Sequence, residues 1–150
     1  MQRRTFLEAL AAAIPASISI PCLNVVSAQE RGRVKITDVK VMRIRMKGHT
    51  MPLVKIETDA GVYGIAECHH DVTGLGAKDV VLNAFRQMLI GQDPFDIERL
   101  TSQMMFRVSY LSGNGGIATH AVTGVETALW DLTGKLLGMP VRKILSGGAY

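Results

Sequence analysis

The residue types best suited to chemistry stand together at Cys68, His69, His70 and Asp71. Imidazole, thiolate and carboxylate groups are the usual ligands of zinc and related metals. Their spacing argues against a shared ion, because adjacent residues at a strand end point to opposite faces and His69 and His70 do not converge. Cys68 has His69 beside it, but lacks the local histidine and aspartate arrangement that activates a thiol nucleophile. No metal ligand and no catalytic residue is expected from this cluster.

The other candidates are weaker. Glu126 and Asp131 are five residues apart, about 140° around a helix of 3.6 residues per turn, and do not form a carboxylate pair. His120 falls near a helix start, where a surface imidazole is the ordinary role. The "SGNGG" stretch at 112–116 has the glycines of a phosphate cradle, but no strand precedes it and no "GK[ST]" follows, so it is expected to join two helices.

Three segments read as strands. "VKITDVKVMRIRM", from Val34, is rich in β-branched residues and changes alternation phase near Val41 and Met42, which predicts a bulge or a change of buried face there. "PLVKIET" sets Leu53, Lys55 and Glu57 against Val54, Ile56 and Thr58. "VYGIAE" follows after "DAG", whose Gly61 can take the positive φ of a tight hairpin. Helical spacing begins later. Val80, Val81, Ala84, Phe85, Met88 and Leu89 share one face, and Gly91 ends that helix. In "DPFDIERL", Asp93 is placed to cap and Pro94 to open a second helix, with Ile97, Leu100, Met104 and Val108 as its apolar stripe. A third runs from about Ala118 to Leu137 and stops at Gly138 and Pro140. The expected fold is α+β, a three-stranded antiparallel meander followed by three to four helices.

The first 28 residues read as an address. Arg3 and Arg4 form a positive start, Leu10 to Ile20 is weakly apolar, and Val26-Ser27-Ala28 supplies the small residues a signal peptidase accepts. Pro15 and Pro21 break the run, which is shorter than the roughly 20 residues that span a bilayer, so no permanent membrane anchor is expected. Arg3-Arg4-Thr5-Phe6-Leu7 resembles a twin-arginine export signal. Cleavage after Ala28, a periplasmic location and a polar leader at 29–35 are expected. The remaining 122 residues suffice for one domain. The formal charge falls from +4 to +3, with cations scattered among acids, so no nucleic-acid partner is expected. Cys22 leaves with the signal, and Cys68 then has no partner for an internal disulfide.

Three stretches in order, "LVKIETDAGVYGIAE", "LIGQDPFDIERL" and "GVETALWDLTGKLLGMPVRKILSGG", resemble the N-terminal capping domain of the mandelate racemase and muconate lactonizing enzyme group of the enolase superfamily. The last is the most specific. The resemblance runs from about Ile36 to Tyr150, implying a capping domain over 36–145, with 146–150 opening a linker to a β/α barrel. It implies a parent that is a magnesium-dependent acid-sugar dehydratase, removing the proton α to the carboxylate of a small-molecule substrate, with a racemase or cycloisomerase as alternatives. In that family the barrel carries the Mg2+ ligands and the base, so these 150 residues alone are expected to bind no magnesium and turn over no acid sugar. Loops at Lys47–Pro52 and Cys68–Gly76 match the two cap loops that close the barrel mouth. His49, Thr50, His69, His70 and Thr73 are then substrate-binding candidates, against the alternative of solvated loops. A cap apart from its barrel exposes apolar surface, so self-association is expected. A different class of function, a non-catalytic periplasmic binding or assembly module, would use the same surface.

Overall fold

Three β-rich segments form one antiparallel sheet in the order β1 (Ile36–Met46), β2 (His49–Thr58) and β3 (Tyr63–Glu67). The computed structural model describes residues 33–46, 49–68, 75–112 and 116–147; Arg3, Arg4 and Ala28 lie outside them. Along β2 the alternation is as expected, with Val54, Ile56 and Thr58 buried beneath the helices and Leu53, Lys55 and Glu57 on the other face. The irregularity of β1 falls between Ile36 and Asp38, not near Val41 and Met42. Its cause is tertiary. Ile36 donates its amide to the Gln92 carbonyl at 3.0 Å and accepts the Gly91 amide at 2.8 Å, so this end of β1 is turned toward a loop.

The helical layer is α1 (Leu75–Val80), a five-residue π-helical turn (Val81–Phe85), α2 (Arg86–Leu89), α3 (Ile97–Ser112), α4 (Ile117–Leu137) and α5 (Val141–Leu145). Sequence periodicity predicted a regular helix where the π turn stands. Val81, Phe85 and Leu89 recur every four residues, and the wider turn helps keep all three fully buried. The Asp93–Pro94 pair also departs from expectation. Asp93 accepts the Phe95 amide through Oδ1 at 2.9 Å and the Asp96 amide through its carbonyl at 3.2 Å, so it caps a turn, and α3 begins only at Ile97.

The core joins Val39, Val54 and Ile56 of the sheet to Phe85, Leu100, Met104, Val125, Leu129 and Leu132. Each such side chain contributes about 1.5–3 kcal/mol on burial. The helix α4 lies hard against β3: a β-carbon on Gly64 would overlap the Ala128 carbonyl oxygen and come within 2.7 Å of Leu132 Cβ. Gly138 ends α4 in the left-handed conformation at φ 62°.

Candidate functional site

Pairing between β1 and β2 runs on to Met46 and His49, whereas β2 faces β3 only over Leu53–Glu57. The last bond on that side is donated by the Cys68 amide to the Pro52 carbonyl at 2.9 Å. Beyond it, Ile44–Met46 and His49–Met51 pair only with each other, as a two-stranded ribbon leaving the sheet. Pro52 is tolerated in this middle strand because a strand residue points its N and O to the same side. Its missing N–H is on the side of Cys68, just past the end of β3, and not in the ladder with β1.

Register is unbroken from Asp38 opposite Glu57 to Met46 opposite His49. Strand parity therefore puts Val41, Arg43 and Arg45 on the same face as buried Val39. Arg43 stands opposite Pro52 and Arg45 opposite half-buried Thr50. Both arginines are exposed, and neither has a carboxylate partner among the described residues.

On the opposite face of the sheet three cations are held by two carboxylates. Arg86 binds Asp38 at 2.9 Å, Lys40 binds Glu57 at 2.6 Å, and Lys55 binds the other oxygen of Glu57 at 2.7 Å. The hydrogen bond to Glu57 holds the Lys40 ammonium above its ordinary value, and bonds from Lys40 and Lys55 hold the Glu57 carboxyl below its own. Tyr63 carries Lys55 at 4.4 Å and Lys135 at 4.9 Å from its ring centre. Asp131 Oδ2 accepts the Ile65 amide at 2.8 Å and Lys135 Nζ at 2.6 Å, pinning α4 to β3.

Of the sequence-predicted site residues, His49 and Thr50 are not in a loop: both belong to β2, so only residues 47 and 48 separate the strands. Proline at 52 had marked the strand's start too late. His69, His70 and Thr73, with Asp71, lie outside the described residues. Cys68 is 2% exposed, and burial, followed by the nearby Glu67, pushes its thiol up to about 12. It is no nucleophile in this setting. Sequence reasoning missed Arg43 and Arg45, although their parity with Val39 was a readable signal.

A concavity of about 580 Å³ is lined by Phe95, Ile97, Arg99, Trp130, Thr133 and Ile144 among others, and includes none of the predicted site residues. The Thr133 hydroxyl in its wall is buried and without a hydrogen-bond partner among the described residues. Among the described residues no three histidine, cysteine, aspartate or glutamate side chains gather to hold a metal. Asp38, Glu57 and Asp131 are each held by a lysine or arginine. The described residues therefore do not fit a magnesium site. No helix among them is long and apolar enough to cross a membrane.

The N-terminal domain model of mandelate racemase / muconate lactonizing enzyme matches residues 25–146. A D-galactonate dehydratase family member from Streptomyces sp. (strain SPB78) is 34% identical over 139 residues, which cover 92% of this chain and 31% of that protein. The magnesium-complexed mandelate racemase/muconate lactonizing protein of Paracoccus denitrificans PD1222 superimposes with TM-score 0.73 at 37% identity, over 78% of this chain and 31% of the other. An enolase from Pantoea ananatis with bound D-gluconate and magnesium gives TM-score 0.66 at 32% identity, over 75% and 27%. The chain thus spans about a third of the length of the relatives it matches. The meander followed by helices is the capping-domain fold of the enolase superfamily. By motif, fold and the extent of the match, the chain belongs to the mandelate racemase and muconate lactonizing enzyme family, of which it carries the N-terminal domain.

Proposed function

We propose that this domain caps the active site of an acid-sugar dehydratase that removes the proton α to a substrate carboxylate. The carrying observation is the β1–β2 ribbon, which runs past the end of β3 and carries Arg43, Arg45 and Thr50 on the continuation of the face that buries Val39 and Val54. Such a projection can cover a reacting centre supplied by the rest of the protein, exclude water and orient substrate hydroxyls. The names of the relatives support dehydration over racemisation and over a free-standing binding module. Magnesium, when bound by the remainder of the protein, would stabilise the enolate; the residues described here orient and enclose.

Assayed with magnesium against aldonates, aldarates and mandelate, the whole protein is expected to release water from an acid sugar and form a 2-keto-3-deoxy acid. Racemisation or lactonisation without dehydration would overturn this assignment. The 150 residues alone are expected to be inactive.

Two further properties belong to the same proposal. Arg3, Arg4 and Ala28 direct twin-arginine export, so N-terminal sequencing of the periplasmic protein should begin at Gln29; intact Met1 in the cytoplasm would contradict this. The 150 residues also self-associate through apolar side chains that the capped body would cover, among them Phe106 at 79% and Leu145 at 62% exposure. Size-exclusion chromatography of this chain should show an oligomer, and a clean monomer would refute it.

A further inference from the structure

Arg43 and Arg45 are two residues apart on one strand face, about 7 Å between α-carbons. That spacing places both guanidinium groups within reach of one small ligand. Each group offers five donors and no acceptor. Directly across the ladder stand Pro52 and Thr50, neither of which brings a charge. The described carboxylates of the sheet do not compensate, because Asp38, Glu57 and Glu67 all lie on the other face by register, the first two held there by Arg86, Lys40 and Lys55. One face of this sheet is therefore balanced in charge, and the ribbon's other face is cationic.

In water, two free guanidinium groups cost little. Under a cap they become expensive, because covering the ribbon face removes water and leaves like charges without a counter-charge. An anion between them reverses that penalty, and planar guanidinium forks suit carboxylate and phosphate oxygens. A neutral polyol chain would satisfy some donors but would not compensate the charge. The carboxylate beside the reacting carbon is one anion of the substrate. The ribbon calls for another.

Building on the capping function above, we propose that Arg43 and Arg45, with Thr50 opposite, form an anion-reading pair that selects acid sugars carrying a second acidic group at the end remote from the reacting carboxylate. That group is a terminal carboxylate, as in an aldarate, or a terminal phosphate ester. Thr50 supplies a hydroxyl to the neighbouring substrate oxygen.

The test measures binding and turnover by the whole protein for a six-carbon aldonate, the corresponding aldarate and the 6-phosphoaldonate. Wild-type protein should bind at least one of the two dianions about tenfold to a hundredfold more tightly than the aldonate, in line with charge-assisted hydrogen bonds. Which dianion gains identifies the terminal group. Arg43→Gln and Arg45→Gln should each erase most of that preference. Arg45→Lys should keep part of it, since the charge remains but the fork is lost. Equal binding of all three acids by the wild type overturns the proposal, as does a preference that survives both glutamine substitutions. If instead the substitutions weaken all three acids alike and lower the melting temperature, the arginines dock on an acidic side chain of the capped body, and the proposal also fails. Selective binding of a dianion without dehydration would leave the anion-reading pair standing and refute the dehydratase assignment.

Discussion

The sulfur of Cys68 fills the volume that a β-carbon on Gly124 would need, with Cys68 Cα at 3.0 Å and its Cβ at 3.1 Å from that position. This contact fixes how closely the end of β3 approaches α4. Alanine in place of glycine ordinarily stabilises a helix interior by about 1 kcal/mol. Here the sign reverses. Gly124→Ala should cost about 2–3 kcal/mol by urea denaturation, and Cys68→Ala in the same chain should recover part of that loss.

Asp131 acts as a bracket between α4 and β3. Asp131→Ala strands the Ile65 amide and should destabilise by about 2 kcal/mol. Asp131→Asn keeps an oxygen for that amide and should cost less than half as much. Lys135→Ala, at the exposed end of the pair, should cost about 0.5 kcal/mol or less. Thermal unfolding of the three variants tests this ranking, and equal losses would show that the ion pair, not the amide bond, holds the helix.

Burial of Cys68 makes stability fall in alkali. The folded thiol ionises only at about 12, whereas an unfolded thiol ionises near pH 8.5. A group whose folded value is raised contributes fully below the unfolded value and loses that contribution as pH rises toward the folded one. Between those limits the chain should lose up to about 1.4 kcal/mol per pH unit through this group. Comparing wild type with Cys68→Ala from pH 7 to 11 isolates it: the stability difference should change with pH only above about pH 8.5.

Thr133 is 5% exposed, and its hydroxyl has no hydrogen-bond partner among the described residues. Thr133→Val keeps the shape and removes the unsatisfied group, so it should be neutral or stabilising by up to about 1 kcal/mol in the 150-residue chain. Destabilisation beyond 1 kcal/mol would mean that the hydroxyl is hydrogen-bonded in solution.

The meander, the three apolar stripes and the Gly138 stop were legible because period-2 and helical periodicities act locally. Element ends were less so. Pro52 hides the true start of β2, since a sequence does not show on which side β3 runs out. Asp93 has the composition of a helix cap, yet its side chain is used one turn earlier, on Phe95. The π turn at Val81–Phe85 depends on what Phe85 and Leu89 must fill together. For the site, the histidines drew attention by type, whereas Arg43 and Arg45 gain meaning only from register and from where the third strand stops. The contact of Cys68 with Gly124 joins distant parts of the chain, and no local pattern announces it.

An open strand edge invites growth by addition of further strands, and β1 is such an edge, 11 residues long. Two devices limit that here. At its first residue the hydrogen-bonding groups are already taken by Gly91 and Gln92. Further along, Lys40, Arg43 and Arg45 punctuate the strand with positive charge and no acid among them. A second copy laid against this edge would bring cations against cations along the pairing line, so the strand resists extension of the sheet.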